Sequence, residues 1–223
     1  MSFEAASSIS LAYDTAWFAL TDRARLSVGE TVLVLGASGA VGNAAIQIAK
    51  ALGAHVIAGV SSSAKADLAL KAGTDVTVDL DSGDLHESLR EQVRMATDGQ
   101  GADIIIDSVG GDVFDAAIRA IAWRGRIVVI GFAAGRIPTI KANYVLLKNI
   151  EVSGLQVSDY RKRLPDQVRN AFEQIFELYT QGKIQRRPIV SYALEDYASA
   201  LDDLLSRRVA GRAVLIPDAE AML

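Results

Sequence analysis

The sequence has 223 residues, of which half are hydrophobic and 22% are charged, an ordinary composition for a globular protein. Its net charge of −4 gives no electrostatic reason to expect a nucleic acid or an anionic membrane as partner. No apolar run approaches the roughly 20 residues of a membrane span. The absence of cysteine excludes disulfides, a thiolate nucleophile and thiolate metal ligands. Two histidines are too few for a histidine-rich site, so we expect no metal.

Apolar strands and amphipathic helices alternate along the chain. The pattern predicts strands over residues 31–35, 55–60, 76–79, 104–107, 126–131 and 150–155. It predicts helices over residues 7–26, 41–52, 64–72, 85–97, 113–122 and 166–181. The strands lack a polar face, which is typical of a parallel sheet covered on both sides. We therefore expect an α/β domain, doubly wound around a parallel six-stranded sheet.

Residues 32–50 read VLVLGASGAVGNAAIQIAK, a buried strand followed by a turn of small residues and the start of a helix. This is the context in which a glycine-rich turn binds a dinucleotide. Aligned on the usual fingerprint, Ala37 replaces the first glycine. Gly39 then lets the backbone approach a pyrophosphate, and Gly42 lets the helix pack close to the strand. The helix N-terminus offers N–H groups to the phosphates. The alternative is a tight strand–helix turn without a ligand.

The end of the second strand distinguishes the two nicotinamide dinucleotides. A NAD site places Asp or Glu there to bind the ribose 2′-hydroxyl. Residues 59–65 instead read GVSSSAK, with three serines and Lys65. Hydroxyl groups and an ammonium suit a 2′-phosphate, which a carboxylate would repel, so the sequence favours NADP(H). Two alternatives stay open, because residues 61–63 are also suited to cap the next helix and Lys65 to a solvated surface.

Six stretches carry a family resemblance in their order and spacing. They are AYDTAWFAL (12–20), GETVLVLGASGAVGNAAIQIAKALGAHVI (29–57), GADIIIDSVGGDVF (101–114), RGRIVVIGFAAGRIP (124–138), LLKNIEVSGL (146–155) and AGRAVLIP (210–217). Together they resemble the quinone oxidoreductase branch of the medium-chain dehydrogenase/reductase superfamily, the zinc-independent group that includes zeta-crystallin. The resemblance implies a Rossmann fold and metal-free hydride transfer from NADPH to a quinone or another activated, electron-poor double bond.

The resemblance also implies which residues bind the cofactor. The pyrophosphate would be held by Ser38, Gly39, Ala40, Val41 and Gly42, and the 2′-phosphate by Ser61 and Lys65. Near the adenosine and ribose would lie Ser108, Val109 and Gly110, and beside the nicotinamide Ile130, Gly131, Phe132 and Ala133. Thr15, in the family's Y-x-T-A motif, would pack near the nicotinamide. An ordinary helix position for Thr15, and a cover over the core for Phe132, remain open.

Two features depart from the family. Leu80 stands where many NADPH-binding relatives have an aromatic residue or a histidine that helps to enclose the adenine, so affinity is expected to be modest. The family also has a catalytic domain ahead of the segment where this chain begins. We therefore interpret residues 1–28 as a domain-junction helix, 29–183 as the dinucleotide-binding domain and 184–223 as the segment that normally returns to the catalytic domain.

The catalytic residues cannot be assigned on this basis. The substrate pocket is expected to be half built, and we name no catalytic acid or base. Whether the chain is a separate domain, a truncated gene product or one half of a two-chain enzyme stays open, as does turnover by the chain alone.

Other polar patterns favour structural roles. Tyr144 and Lys148 form the Y-x-x-x-K pair of short-chain dehydrogenases, but the glycine spacing of GASGAVG does not fit those enzymes. Asp103 and Asp107 flank a strand, where carboxylates are commoner in turns than as a metal pair. The basic run 161–163 is interpreted as a solvated loop.

Two function classes remain. The first is the nucleotide domain of an NADPH-dependent oxidoreductase, and the second is a non-catalytic NADP(H)-binding module or sensor. A methyltransferase would need an acid at the end of the second strand, where none occurs. The start of the chain lacks the basic and apolar regions of a secretory signal, so we expect a cytoplasmic protein. We also expect a homodimer, because the resemblance implies edge-to-edge pairing of the nucleotide-domain sheets, for which the sixth strand, 150–155, is the candidate edge. The apolar residues of the C-terminal segment also favour self-association.

Overall fold

The computed structural model describes residues 2–206, 208–209 and 211–217, in two compact units. The larger unit spans Ala12–Ile184, and the smaller one joins the start of the chain, up to Leu11, to the residues from Gln185 onwards. Residues 1, 207, 210 and 218–223, which fall in the predicted junction helix, the predicted C-terminal segment and the AGRAVLIP stretch, lie outside the described residues. The predicted domain boundaries stay predictions.

The larger unit is built on a six-stranded parallel sheet. Its strands are β1 (Thr31–Leu35), β2 (His55–Val60), β3 (Val76–Asp79), β4 (Ala102–Asp107), β5 (Ile121–Val129) and β6 (Glu151–Gly154). They are ordered β3-β2-β1-β4-β5-β6, and every neighbouring pair is parallel. This order is that of the dinucleotide-binding Rossmann fold, which confirms the predicted fold class.

Helices flank the sheet. Those of the larger unit are α2 (Leu11–Phe18), α3 (Ala40–Ala51), α4 (Ser63–Lys71), α5 (Leu85–Met95), α6 (Gly111–Ala120), α7 (Ala142–Lys148), α8 (Val157–Arg163) and α9 (Pro165–Thr180). Leu33 and Leu35 of β1 pack in a core cluster with residues of α5 and α6. The alternate residues Val32 and Val34 are also fully buried. Because both faces of β1 are covered, its sequence is continuously apolar rather than alternating.

The N-terminal helix is shorter than predicted. In place of one helix over 7–26, the chain forms α1 (Phe3–Ser8), α2 and a π-helical turn, Ala19–Arg23. The hydroxyl groups of Ser7, Ser8 and Ser10 donate to nearby backbone carbonyls, a local bond that competes with a continuous helix.

Other departures lie around β5 and β6. Strand β5 begins at Ile121, where a helix was predicted to run to residue 122, because Ile121 pairs with Ala102 ahead of a register shift in β4. Helices α7 and α8 were not predicted. The run 161–163, interpreted as a solvated loop, is the last turn of α8, so that interpretation was wrong.

In its described part, the smaller unit contains α1, two parallel strands, a short 3-10 turn and a further α-helix. The strands are β7 (Ile189–Ala193) and β8 (Arg212–Ile216), and between them lie a 3-10 turn, Leu194–Asp196, and α10 (Tyr197–Leu205). In the part of the chain that the structure describes, no helix has the length and apolar character needed to cross a membrane.

Candidate cofactor-binding site

The turns that follow β1, β2, β4 and β5 meet at one edge of the sheet. Parallel strands all present their carboxyl ends to the same side. In the register, Leu35 at the end of β1 lies beside Gly59 and Asp107, and Asp107 lies beside Val129. The predicted cofactor residues of all four turns are therefore brought to a single edge. Thr15, in α2, is the one predicted site residue that lies neither in these turns nor at the start of the helices that follow them.

The glycine turn depends on close backbone packing. Gly36 has a left-handed backbone, with φ of 69°, so it makes the tight turn that the sequence alignment gave to Ala37, which is fully buried. A Cβ on Gly42 would lie 2.3 Å from the Gly36 carbonyl oxygen. This contact supports the predicted packing role of Gly42.

The start of α3 points its N–H groups at the edge of the sheet. Gly39 is the N-cap of α3, and its carbonyl accepts the first helical bond, from the N–H of Asn43. The N–H groups of Ala40, Val41 and Gly42 precede that bond and have no partner within the helix. A helix end of this kind binds a phosphate through backbone donors. Ser38 lies in the turn beside it.

In the turn after β2, Ser61 and Ser62 make different contacts. Ser62 is the N-cap of α4, and its hydroxyl accepts a bond from the Lys65 backbone N–H. Ser61 does not cap; its hydroxyl oxygen instead lies 2.8 Å from the Lys65 Nζ. Both side chains are exposed. The capping interpretation is therefore correct for Ser62, while Ser61 and Lys65 together present a hydroxyl and an ammonium to solvent.

The segments after β4 and β5 form one continuous surface. The Ser108 hydroxyl donates to the Leu35 carbonyl at 3.2 Å, and the Ala133 N–H donates to the Ser108 carbonyl at 3.2 Å. A Cβ on Gly110 would lie 3.0 Å from the Phe132 ring. Phe132 is 41% exposed, so its ring is at the surface rather than a cover over the core. The predicted residues 108–110 and 130–133 are thus in mutual contact.

The side chain of Asp107 stabilises the turn after β4 by hydrogen bonds to its backbone. Its side chain is fully buried, and Oδ1 accepts bonds from the N–H groups of Val109 and Gly110. Its Oδ2 is buried and has no hydrogen-bond partner among the described residues. Burial raises the pKa of Asp107, although the two N–H bonds oppose that shift. Asp103 accepts a bond from the Thr31 N–H, so both aspartates have the turn and backbone roles that the sequence favoured.

Thr15 lies in a buried part of α2 that is bonded to two other helices. Its backbone N–H donates to the carboxylate of Asp14, which is fully buried and is bound by the Arg161 guanidinium of α8 at 2.6 Å. Gln47 of α3 donates to the Tyr13 hydroxyl at 3.2 Å. The pairing of the buried Asp14 with Arg161 was not predicted from the sequence, where the two residues stand 147 positions apart.

Two further positions discussed from the sequence, Lys148 and Leu80, contact the core elements around them. Lys148 donates from Nζ to the carbonyls of Arg119 and Ile121 at 2.9 and 2.7 Å, so it binds the end of α6, and a catalytic role beside Tyr144 is not supported. Leu80 is partly buried, packs against the core and lies close to Gly59 of β2.

Comparison with known proteins identifies the family. The model of a family described as zinc-binding dehydrogenase matches residues 40–177, more than half of the chain. The chain belongs to the zinc-binding dehydrogenase family. Its relatives place it in the quinone oxidoreductase-like part of the medium-chain dehydrogenase/reductase superfamily, as the resemblance implied.

Individual relatives agree in fold and in coverage. A quinone oxidoreductase-like protein 2 homolog of Nematostella vectensis is 36% identical over 217 residues, which are 96% of this chain and 58% of that relative. A solved mycobacterial quinone oxidoreductase is 29% identical, with a TM-score of 0.91 over 97% of this chain and 65% of its own. A mycobacterial protein solved in complex with NADPH is also 29% identical, with a TM-score of 0.84 over the same shares. The chain thus spans less than two thirds of the length of these relatives.

Proposed function

We propose that the carboxyl edge of the main sheet binds NADP(H), and that this chain is the cofactor-binding part of an enzyme that reduces a quinone or an activated alkene. The observation that carries the choice of cofactor is the contact between Ser61 and Lys65. A hydroxyl and an ammonium are the donors that a phosphate monoester requires. The relative solved with NADPH supports the same choice.

The donors of this edge fit the parts of the cofactor. The N–H groups at the start of α3 suit the pyrophosphate, because they combine free donors with the positive end of the helix dipole. The turns 108–110 and 130–133 supply a continuous wall for the adenosine, the ribose and the nicotinamide. In this arrangement the partly exposed Phe132 ring shields the nicotinamide from water.

In the proposed reaction, the cofactor and the protein have different roles. Bound NADPH supplies the hydride, while the protein orients it and excludes water. Among the residues of this edge we assign no proton donor, since a quinone oxygen that gains charge can be protonated by solvent or by a group outside this chain. The expected absence of a metal stays a prediction.

A titration followed by NADPH fluorescence tests the proposed site. We expect Lys65→Ala to weaken NADPH binding about tenfold or more, because it removes a charge-assisted hydrogen bond, and to leave NADH binding unchanged. Lys71→Ala, which removes a lysine from the other end of α4, is the matched control. Equal losses for NADPH and NADH, or equal effects of the two variants, would contradict the 2′-phosphate assignment.

A non-catalytic binding module is the second candidate. It is favoured by one observation, that the donors of the cofactor edge suit a dinucleotide while none of the described residues there is assigned a part in proton transfer. Quinone-dependent oxidation of NADPH by the purified chain separates the candidates. Binding without turnover would support the module, and turnover would support the oxidoreductase.

We further propose that the chain is a cytoplasmic homodimer paired through β6. Strand β6 is the last in the sheet order, so one of its two edges has no neighbouring strand within the described part of the chain. Such an edge pairs readily with a second strand. Helix α7, which directly precedes β6 in the chain, carries Leu146 and Leu147, which are 76% and 73% exposed and give this part of the surface an apolar character.

A further inference from the structure

A cavity of about 400 Å³ lies at the amino ends of the strands of the main sheet, opposite the carboxyl ends where the proposed cofactor site lies. Its floor is formed by Gly101 and Ile121, where β4 and β5 begin, and its walls come from α5, α6 and α7. Strand β4 has six residues, which span about 20 Å at roughly 3.3 Å per residue. The cavity is therefore separated from the proposed cofactor site by the length of the sheet.

Four cationic side chains from three helices line this cavity: Arg90, Arg94, Arg119 and Lys148. Glu87 is the carboxylate that binds two of them, at 3.3 Å from Arg90 and 2.8 Å from Arg119. Neither of the other two cations is in an ion pair among the described residues. The whole protein carries a net charge of −4. The charge around this cavity is therefore opposite in sign to that of the protein as a whole.

Lys148 is held in place without a carboxylate. Two of its three donor positions are used by the carbonyls of Arg119 and Ile121, which leaves one donor. Burial lowers the pKa of Lys148, and the neighbouring arginines Arg90, Arg94 and Arg119 lower it further. The cations therefore repel one another, and an anion between them would relieve that repulsion.

A further carboxylate on α5 does not neutralise the group. Glu91, on the same helix, lines an adjoining surface hollow with Glu87, Arg90, Arg94 and Met95. Even with Glu91 included, four cations against two carboxylates leave a local charge of +2.

Two aromatic side chains border the cations. Tyr144 and Trp123 both line the cavity, and Arg124 lies over the Trp123 ring, 5.5 Å from its centroid. Trp123 is 67% exposed, so its indole is accessible at the rim. Aromatic faces beside cationic groups suit an organic group attached to a phosphate, because the ring packs while the phosphate binds the cations.

We propose that this cavity binds a small phosphate-bearing anion, either inorganic phosphate or a phosphate monoester, at a site separate from the cofactor edge. The guanidinium of Arg94 and the remaining donor of Lys148 bind the phosphate oxygens. Arg90 and Arg119 add positive charge while they stay bonded to Glu87.

Calorimetric titration of the purified chain with inorganic phosphate and with phenyl phosphate, at constant ionic strength, tests the proposal. We expect one saturable site per chain that is weakened about tenfold by Arg94→Gln. Arg94 is exposed, so this variant is expected to fold, and its circular dichroism spectrum verifies that. Arg163→Gln, on α8, removes an equal charge elsewhere and is expected to bind as the unchanged protein does.

The outcomes separate the two ligand sources and the two sites. Tighter binding of phenyl phosphate would identify a phosphate monoester as the ligand, and equal binding would identify inorganic phosphate. The variant Lys65→Ala, at the cofactor edge, is expected to leave the phosphate titration unchanged. The absence of saturable binding, equal weakening by Arg163→Gln, or equal weakening by Lys65→Ala would overturn the proposal.

Discussion

At Gly42 the helix α3 and the glycine turn lie too close for a side chain. A Cβ there would lie 2.3 Å from a backbone oxygen, and a backbone atom cannot swing aside as a flexible side chain does. We expect Gly42→Ala to lower the free energy of unfolding by about 1–3 kcal/mol and to weaken NADPH binding. Urea denaturation measures the first effect, and fluorescence titration the second.

Gly83 provides the control for this substitution. A Cβ on Gly83 would meet nothing within 4 Å, so Gly83→Ala is expected to remain within about 0.5 kcal/mol of the unchanged protein. If both variants proved equally stable, the close approach at Gly42 would not be a constraint on the fold.

Asp107 is expected to make stability depend on pH. Burial raises its pKa from 3.8, so its carboxyl binds a proton more readily in the folded than in the unfolded protein. Such a group stabilises the fold below its unfolded pKa, and this contribution is lost as the pH rises through the folded pKa.

The variant Asp107→Asn isolates that contribution, because it keeps an oxygen for the N–H groups of Val109 and Gly110 but cannot ionise. We expect its free energy of unfolding, relative to the unchanged protein, to rise between about pH 4 and about pH 7. Urea denaturation at both values measures the difference, and a difference that does not change with pH would refute the assignment.

At the scale of elements, α2 and α8 are joined by polar and aromatic contacts. Arg161 binds the buried Asp14, the rings of Phe18 and Tyr160 lie 4.5 Å apart, and the Tyr160 hydroxyl donates to Asp22. These contacts attach the predicted Thr15 position to the segment that follows β6.

Removal of the Arg161 guanidinium is expected to lower the stability of the protein, because the buried Asp14 carboxylate loses its ion-pair partner. We expect Arg161→Gln to destabilise the protein by about 1 kcal/mol, a modest value because the arginine is 42% exposed and water screens part of the interaction. Thermal or urea unfolding checks this, with Arg163→Gln as the matched control. The same substitution in an Asp14→Asn background should cost less, and an undiminished cost would show that the effect does not pass through Asp14.

Local pattern predicted some elements better than others. The bounds of β1, β2 and β3 agree with the sequence prediction, because short apolar runs between turn residues are a local signal. The contact between Ser61 and Lys65 also follows from local spacing. The pairing of Arg161 with Asp14 could not be predicted, since it depends on how distant helices pack. The start of β5 was missed for a similar reason, because it is fixed by a partner strand.

At the scale of the molecule, we expect the chain to associate through the edge of β6 that has no neighbouring strand among the described residues. We expect a double variant, Leu146→Asp with Leu147→Asp, to shift the proposed dimer towards monomer at micromolar concentration, because it places charge on the exposed apolar surface of α7, the helix that precedes β6. Light scattering measures the mass. Met95→Asp, at a residue that is 70% exposed on α5, is the control. A mass that is monomeric without any substitution would refute the dimer.

The sheet order also governs when the fold can be completed. Strand β1 has β2 on one side and β4 on the other, and the Thr31 N–H is bonded to Asp103 across 72 residues. During synthesis, β1 can pair with β2 as soon as β2 has been made, but its pairing with β4 must wait until residues 102–107 follow. Closing such a long loop carries an entropic cost that is repaid only when the parallel pair forms. The strand that carries the glycine turn can therefore pair early on one side, but a chain released before β4 would leave its other edge exposed to aggregation.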